Sequence, residues 1–504
     1  MGNNSKGEWT MTIFRAIGGF FDVILKSVFE QALAQSNLQG IDHIPGPRSY
    51  PVIGTRYIYY TRYKLSKLHE AHADLYKRYG PVVKEVGLWN IPIVSLYGKH
   101  PIEFVLRHSI KHPIRPPTEV TATYRASRPD RYTSLGLTNE QGEVWHTLRT
   151  ALTPPIMSSR TLSMFFPELL SVTEDFIRLL KCSRDSNDII QSFDEMAGRF
   201  GLESTCSFIL GRRLGVLDET ASELSIRLAK AVKDQFCAVR DTYYGLPFWK
   251  VFPSSSYDKY VSAEETIYDI ISEMVENAEL EEQEYAEENC GNVFMSILRS
   301  PGLDIREKKA AIIDFIAGGI STVGNTLVFL FYLIAKNKRC QNKLLEEINS
   351  LGKDITEETL SRANYLKACI TEAHRLLPTT PCLAKIMDVD LVAPQYLIPK
   401  GTVILCQTWQ ACLMEENFEN ALEFKPERWF DERGNLIPSP PLVAPFGAGR
   451  RGCPGKRFVE RELQVLLTEM VRNFEIDFDG ELGLQFEFLM APESPTPLRL
   501  TDRR

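Results

Sequence analysis

A single cysteine in a glycine-rich turn is the residue of this chain whose setting best suits chemistry. Cys453 lies in the run from Phe446 to Gly455, directly before a helix-like run from Phe458 to Val471. N–H groups freed by the glycines, with the positive end of the following helix, stabilise a thiolate, the form of cysteine that binds metals. One thiolate without a nearby second cysteine or histidine cannot complete a zinc or iron–sulfur site. It is enough for a haem, whose porphyrin already supplies four nitrogen ligands.

The same turn resembles the haem-binding signature of the cytochrome P-450 superfamily. The signature F-x-x-G-x-R-x-C-x-G is met in full by Phe446, Gly449, Arg451, Cys453 and Gly455. The resemblance implies a haem-thiolate monooxygenase that holds haem b through Cys453 and inserts one oxygen atom from dioxygen into a C–H bond. The arginine suits pairing with a haem propionate. The alternative is a buried, inert cysteine in a turn.

Two further motifs follow in the order that this superfamily implies. Glu372 and Arg375 form an E-x-x-R pair, and their spacing places both charges on one helix face. Arg428 lies in a P-E-R-W segment, and the resemblance implies that it completes a buried Glu–Arg–Arg network. The alternative for either motif alone is an ordinary surface ion pair.

Three more residues resemble the superfamily's contacts with the haem propionates. Trp145 and Arg149 form a W-x-x-x-R pattern, and Lys385 lies where a propionate-pairing arginine is usual. Lysine keeps the positive charge but lacks the bidentate fork of arginine. The alternative for the first pair is a packed tryptophan beside a solvated arginine.

The longest helical pattern in the chain carries the predicted catalytic residues. Its apolar text runs from Ala310 to Ala335, after Asp304, which we expect to cap the helix. The text Ala317–Thr322 resembles A/G-G-x-D/E-T, which implies that Thr322 directs protons to dioxygen at the haem. Ser321 stands where that pattern has an acid, so we expect it to hold a relay water. The alternative is that both hydroxyls bond back to carbonyl groups of their own helix.

Stepping out to the whole chain, the resemblance implies a mainly α fold with a large helical domain and a smaller β-rich lobe. We expect the lobe at residues 80–96 and 386–406, with strands at Val82–Val86, Ile91–Ser95 and within Leu391–Leu405. Residues 1–43 are predicted to be a leader that targets the chain or associates with a membrane through an amphipathic helix, and 44–504 a single monooxygenase domain.

Two tracts, 314–330 and 362–381, are similar to arthropod enzymes of the mitochondrial clan that hydroxylate ecdysteroids. This similarity implies 20-hydroxylation of ecdysone, a step of moulting-hormone biosynthesis. Alternatives are the hydroxylation of another steroid or lipophilic substrate, a haem-thiolate isomerase, and a haem-thiolate sensor without turnover. By the same resemblance, we expect the substrate to contact residues 116–137, 225–250, 379–383 and 491–494.

Charge bears on the electron donor. The chain has 58 Lys and Arg against 65 Asp and Glu, a net charge of −7, which gives no reason to expect nucleic acid. Residues 446–472 carry six basic residues and three acids, so this segment would attract an acidic carrier. The clan implies a ferredoxin with its NADPH-dependent reductase, at the matrix side of the mitochondrial inner membrane. The microsomal cytochrome reductase, at the endoplasmic reticulum membrane, is the alternative. Scattered cysteines favour a reducing compartment.

Overall fold

Helices make up most of the protein, and its strands gather in four small sheets. The structure, a computed structural model, describes residues 38–87, 90–218, 223–284 and 293–503. The α-helices are α1 (Ile58–Thr61), α2 (Leu68–Tyr79), α3 (Lys99–Arg107), α4 (Glu119–Ser127), α5 (Gly136–Asn139), α6 (Gly142–Leu152), α7 (Pro154–Met157), α8 (Ser159–Ser183), α9 (Phe193–Leu210), α10 (Glu223–Tyr244), α11 (Ser255–Glu284), α12 (Val293–Leu298), α13 (Ile305–Lys336), α14 (Lys338–Ser350), α15 (Glu357–Arg362), α16 (Asn364–Leu376), α17 (Thr408–Cys412) and α18 (Lys456–Asn473).

The strands are β1 (Gln39–Gly40), β2 (Val82–Val86), β3 (Pro92–Leu96), β4 (Ile189–Ile190), β5 (Leu383–Ile386), β6 (Leu391–Ala393), β7 (Tyr396–Ile398), β8 (Val403–Cys406), β9 (Phe474–Asp477), β10 (Leu484–Phe486), β11 (Met490–Pro492) and β12 (Leu498–Asp502). The largest sheet has the order β2-β3-β8-β5, with β3 and β8 parallel and the outer pairs antiparallel. This sheet and the β1-β7-β6 sheet form the predicted β-rich lobe, which is confirmed. The strand predicted at Ile91–Ser95 begins one residue later than expected.

The predicted long helix is α13, which has 32 residues and is therefore about 48 Å long. The side chain of Asp304 caps it by accepting a hydrogen bond from the backbone N–H of Arg306. Among the described residues this is the one helix long and apolar enough to cross a membrane, yet most of that apolar stretch is buried inside the protein. A core helix meets the same length and composition test, so α13 is described here as a core helix.

Close packing of α9 against α13 fixes the position of the long helix. A Cβ atom at Gly201 would lie 2.9 Å from the carbonyl oxygen of Ile320, so only glycine allows this approach. At the next contact, a Cβ at Gly324 would meet the backbone of Gly198 at 3.2 Å. The two helices therefore contact through their backbones, which leaves α13 little freedom to shift.

The largest core cluster joins α13 to the helix that follows Cys453. Apolar residues of α18 recur at helical spacing and are fully buried, namely Leu463, Leu466, Leu467, Met470 and Val471. They pack with residues of α8, α9, α13 and α16 in one cluster. Because α18 begins three residues after Cys453, this packing anchors the cysteine turn to the centre of the protein.

The described structure begins inside the predicted leader. Gln39 and Gly40 pair in parallel with Tyr396 and Leu397 of β7, so the last leader residues lie against the β-rich lobe. The amphipathic stripe predicted for residues 9–29 lies outside the described residues. The boundary between leader and domain stays a prediction.

Candidate haem and substrate site

A cavity of about 790 Å³ lies between the Cys453 turn and the middle of α13. Cys453, Phe446 and Gly449 line it on one side, and Gly318 and Thr322 of α13 line it on the other. The signature residues and the predicted oxygen-handling threonine, which are far apart in the sequence, therefore face one space.

The backbone of the turn presents the cysteine to this cavity. Gly447 and Gly449 have φ angles of 75° and 69°, in the left-handed region where glycine is free of strain. The N–H of Cys453 donates to the carbonyl oxygen of Phe446 at 2.8 Å, which closes the turn. The thiol is accessible from the cavity, while the protein around it raises its pKa through burial. The N–H groups of Gly455 and Lys456 and the charge of Arg149 oppose that rise, since they favour the thiolate.

Arg451 is held beside the turn by backbone carbonyls and an aromatic face. Its Nε donates to the carbonyl oxygen of Pro113 at 2.8 Å and its Nη2 to that of Glu140 at 2.5 Å. Its guanidinium lies 4.4 Å from the ring centre of Trp145. The Nη1 group is buried and has no hydrogen-bond partner. The pKa of Arg451 is lowered to about 9 by burial and by the nearby charges of Arg115 and Arg149.

The two other predicted propionate contacts have different surroundings. Arg149 lines the cavity and donates through Nη2 to the carbonyl oxygen of Gly452 at 2.8 Å. Lys385 also lines the cavity, but its ammonium donates to the carbonyl oxygens of Val105 and His108, at 2.6 and 3.0 Å. Lys385 is therefore engaged with the backbone in this structure, and its contact with a propionate stays a prediction.

Sequence reasoning missed one arginine of this group. Arg115 lines the cavity, and burial lowers its pKa. Gln141 holds its backbone from both sides and also bonds Arg451, so the two arginines are fixed relative to each other. No motif marks Arg115 in the sequence; its only signal is a basic residue inside an otherwise apolar, proline-rich stretch.

The charges around the cavity suit a dianionic haem. Six cationic side chains line it, namely Arg107, Arg115, Arg149, Lys385, Arg450 and Arg451, and none of its described lining residues is Asp or Glu. Buried cations without carboxylate partners are costly. The two carboxylates of a haem would balance this charge, and the unpartnered Nη1 of Arg451 would gain an acceptor. The residues present therefore fit the group that the sequence predicts.

The α13 side of the cavity treats the two predicted catalytic residues differently. Thr322 lines the cavity, and its hydroxyl donates to the carbonyl oxygen of Gly318 at 2.6 Å. Because that bond uses its only hydrogen, its oxygen faces partners as an acceptor. Ser321 is half-buried and is not among the residues that line the cavity. A Cβ atom at Gly318 would meet nothing within 4 Å, so the space above this turn is open.

Glu372, Arg375 and Arg428 come together in a buried network. The carboxylate of Glu372, which is fully buried, accepts from both nitrogens of the Arg375 fork at 2.9 and 2.8 Å and from Nε of Arg428 at 2.9 Å. It also accepts from Trp429 Nε1 at 3.1 Å. Arg375 donates further to the carbonyl oxygens of Cys412, Ala421 and Glu423. The network ties α16 to the loops that lead to the cysteine turn.

Most of the predicted substrate-facing segments reach the same cavity. Pro116, Thr118 and Leu137 line it, as do Tyr243, Tyr244 and every residue from Thr379 to Leu383. The prediction for residues 491–494 is wrong, because the lining residues in that region are Phe486, Phe488 and Leu489. Residues 490–492 form strand β11 instead, and the turn before it points into the cavity.

Comparison with known protein families matches residues 44–497 to the family described as Cytochrome P450. The chain is a cytochrome P450. It is therefore a haem-dependent monooxygenase, and the cavity between Cys453 and α13 is the place for its haem. The mainly α fold with a smaller β-rich lobe agrees with this assignment.

Three relatives describe the surroundings of this P450 within the family. It is 45% identical over 483 residues to an ecdysone 20-monooxygenase of Drosophila melanogaster, covering 92% of this chain and 89% of the relative. It is 30% identical to the mitochondrial cytochrome P450 302a1 of the same fly, over 92% and 95% of the two chains. It is 25% identical to the mitochondrial 1,25-dihydroxyvitamin D(3) 24-hydroxylase of Mus musculus, over 88% and 85%.

Proposed function

We propose that this P450 hydroxylates ecdysone at carbon 20, giving 20-hydroxyecdysone. The observation that carries the proposal is the 45% identity to an ecdysone 20-monooxygenase, which extends over 92% of the chain. The cavity supports it, since apolar and hydroxyl-bearing side chains alternate along the wall opposite the cysteine turn. Such a mixed wall suits a steroid that carries several hydroxyl groups.

The proposed roles in holding the haem follow from the contacts of the turn. Cys453 supplies the protein ligand to the iron, while Phe446, Gly449 and Gly455 shape the turn that presents it. Arg451, Arg149 and Arg115 hold the haem carboxylates, with Trp145 packed flat against Arg451 and Lys385 as a further candidate. When bound, the haem activates dioxygen so that one oxygen atom enters a substrate C–H bond.

Two side chains of α13 are proposed to manage protons. The Oγ1 atom of Thr322 is fixed by its bond to Gly318, so it offers a lone pair at one defined place in the cavity. A water accepted there would donate its protons toward the space over Cys453. Ser321 is proposed to hold a second water at the neighbouring helix position. The open space over Gly318 supports room for such waters.

Electron supply is proposed to come from NADPH through a ferredoxin and its reductase, in mitochondria at the matrix side of the inner membrane. Two of the relatives are named mitochondrial, which supports this compartment. Lys456 and Arg457 are exposed at the start of α18, beside the cysteine turn, and offer positive charge to an acidic carrier. A microsomal cytochrome reductase at the endoplasmic reticulum remains the alternative donor.

Residues 1–43 are proposed to be a leader and 44–504 one monooxygenase domain that lies on a membrane surface. A patch of exposed apolar residues in the connection from α10 to α11 supports membrane contact. Phe248, Val251 and Phe252 expose 60%, 74% and 64% of their surface there. Apolar patches of this kind mark interaction surfaces rather than ordinary solvated loops.

Product analysis tests the proposal. Purified, haem-loaded protein is incubated with ecdysone and NADPH, once with ferredoxin and its reductase and once with the microsomal reductase. We expect 20-hydroxyecdysone, identified by mass spectrometry against a standard, and faster turnover with the ferredoxin. A product hydroxylated elsewhere, or turnover of other steroids but not of ecdysone, would contradict the assignment of substrate and carbon.

A further inference from the structure

Two threonine hydroxyls in the cavity wall are hydrogen-bonded to each other. Thr326 of α13 and Thr379, in the segment after α16, both line the cavity, and their Oγ1 atoms lie 2.7 Å apart. Thr326 Oγ1 also donates to the carbonyl oxygen of Thr322 at 2.7 Å. The pair lies one helical turn beyond Thr322 along α13.

Counting hydrogens assigns a direction to this pair. A hydroxyl group has one hydrogen to donate and two lone pairs that can accept. Because Thr326 gives its hydrogen to the carbonyl of Thr322, the bond between the two hydroxyls must be donated by Thr379. Thr379 has then used its only hydrogen. What it still offers to the cavity is lone pairs alone.

Backbone contacts on both sides keep Thr379 in this position. The N–H of Met490 in β11 donates to the carbonyl oxygen of Thr379 at 2.8 Å. Asn325, next to Thr326 on α13, donates through Nδ2 to the carbonyl oxygen of Met490 at 3.1 Å. Helix α13, strand β11 and the Thr379 segment are thus linked, so the hydroxyl pair cannot rotate to a new arrangement without breaking these bonds.

From this geometry we propose that Thr379 is a specificity-determining residue that accepts a hydrogen bond from a hydroxyl group of the steroid. The proposal rests on the steroid hydroxylation proposed above. The matching hydroxyl lies about one helical turn, roughly 5 Å, from the carbon presented to Thr322. A substrate with a ketone at that place has only lone pairs to offer, so it would face Thr379 without a hydrogen between them.

Binding of ecdysone and of derivatives that each lack one hydroxyl tests this selectivity. Affinities are measured on the haem-loaded protein from the absorbance change that a bound ligand causes. In the parent protein, one deoxy derivative should bind about tenfold more weakly than ecdysone. In Thr379→Val that difference should vanish because ecdysone weakens to the level of this derivative. Thr380→Val, a change at the neighbouring lining residue, is the matched control and should keep the difference.

A second variant tests the direction of the bond. In Thr326→Val, Thr379 loses its acceptor and its hydrogen becomes free, so a derivative with a ketone in place of the chosen hydroxyl should gain about tenfold in affinity. Haem content and melting temperature show whether each variant is folded.

If ecdysone binds and the ratio between ecdysone and every deoxy derivative is the same in Thr379→Val as in the parent, this inference is overturned. If no ecdysteroid binds the folded parent protein, the function proposed above fails instead.

Discussion

At the scale of single residues, the arginines around Cys453 carry a cost that only a bound anion relieves. Arg451 keeps one guanidinium nitrogen buried without a partner, and Arg115 and Arg149 lie close enough to lower its pKa. The protein thus holds positive charge in place before the cofactor arrives. Such an arrangement sacrifices stability of the empty protein in return for affinity toward a dianionic ligand.

Replacing Arg451 with alanine should therefore weaken haem binding about 10- to 100-fold, because a charge-assisted hydrogen bond to a carboxylate is lost. Haem transfer to an acceptor protein measures this loss. Arg450→Ala is the matched control, since that neighbour is exposed and donates to the carbonyl oxygen of Lys111. In the haem-free parent, Arg451 loses its proton as the pH rises through about 9, so haem uptake should weaken above that pH. Equal haem retention in both variants would contradict the role of Arg451.

Thr322 and Ser321 should differ in their effect on turnover. Thr322→Ala removes an acceptor that lines the cavity, so we expect normal substrate binding but electrons diverted to peroxide. Ser321→Ala should slow turnover only about tenfold, because another water can take its place. The measurement is product formed per NADPH consumed with a ferredoxin donor. A Thr322→Ala enzyme as well coupled as the parent would show that this hydroxyl does not direct protons.

At the scale of elements, buried polar contacts and backbone packing hold the two walls of the cavity at a fixed distance. The Glu372 network joins α16 to the chain segment that leads to the cysteine turn. The contact of α9 with α13 fixes the opposite wall. Neither contact touches the cavity, so changes there should act on stability and haem loading rather than on substrate choice.

Glu372→Ala should destabilise the fold by about 3–5 kcal/mol, because it leaves two buried arginines without their carboxylate. Chemical unfolding measures the difference, and haem content per protein should fall with it. Glu358→Ala removes an acid from an exposed pair with Arg362, at 4.0 Å, and should change the unfolding free energy by less than about 1 kcal/mol. The network is merely superficial if Glu372→Ala melts like the parent.

Two glycine substitutions test the contact between α9 and α13. Both replace a helical glycine with alanine, so the gain in helix propensity, about 1 kcal/mol, is the same. Gly201→Ala should nevertheless lose about 1–3 kcal/mol, since its Cβ would lie 2.9 Å from the carbonyl oxygen of Ile320. Gly318→Ala should be neutral or stabilising, because nothing lies within 4 Å of its Cβ. Thermal unfolding distinguishes them, and a Gly201→Ala protein as stable as Gly318→Ala would rule out tight backbone packing there.

At the scale of the whole molecule, the sequence predicts what is local and misses what depends on distant pairing. The cap and apolar pattern of α13 and the turn at Cys453 are local, so their residues indicate them directly. Arg115 and the pair of Thr326 with Thr379 become a site only when segments far apart in the chain meet in the cavity. The same holds for β4, β9 and β12, whose short strands pair across hundreds of residues and have no long alternating pattern of their own.

One measurement tests the central claim that this chain inserts an oxygen atom from dioxygen into ecdysone at a haem held by Cys453. The haem-loaded protein is incubated with ecdysone, NADPH, ferredoxin and its reductase under isotopically labelled dioxygen, and the product is weighed by mass spectrometry. The account predicts 20-hydroxyecdysone with one labelled oxygen atom, and no product from Cys453→Ala. A product whose new oxygen lacks the label, or equal product from Cys453→Ala, would contradict it.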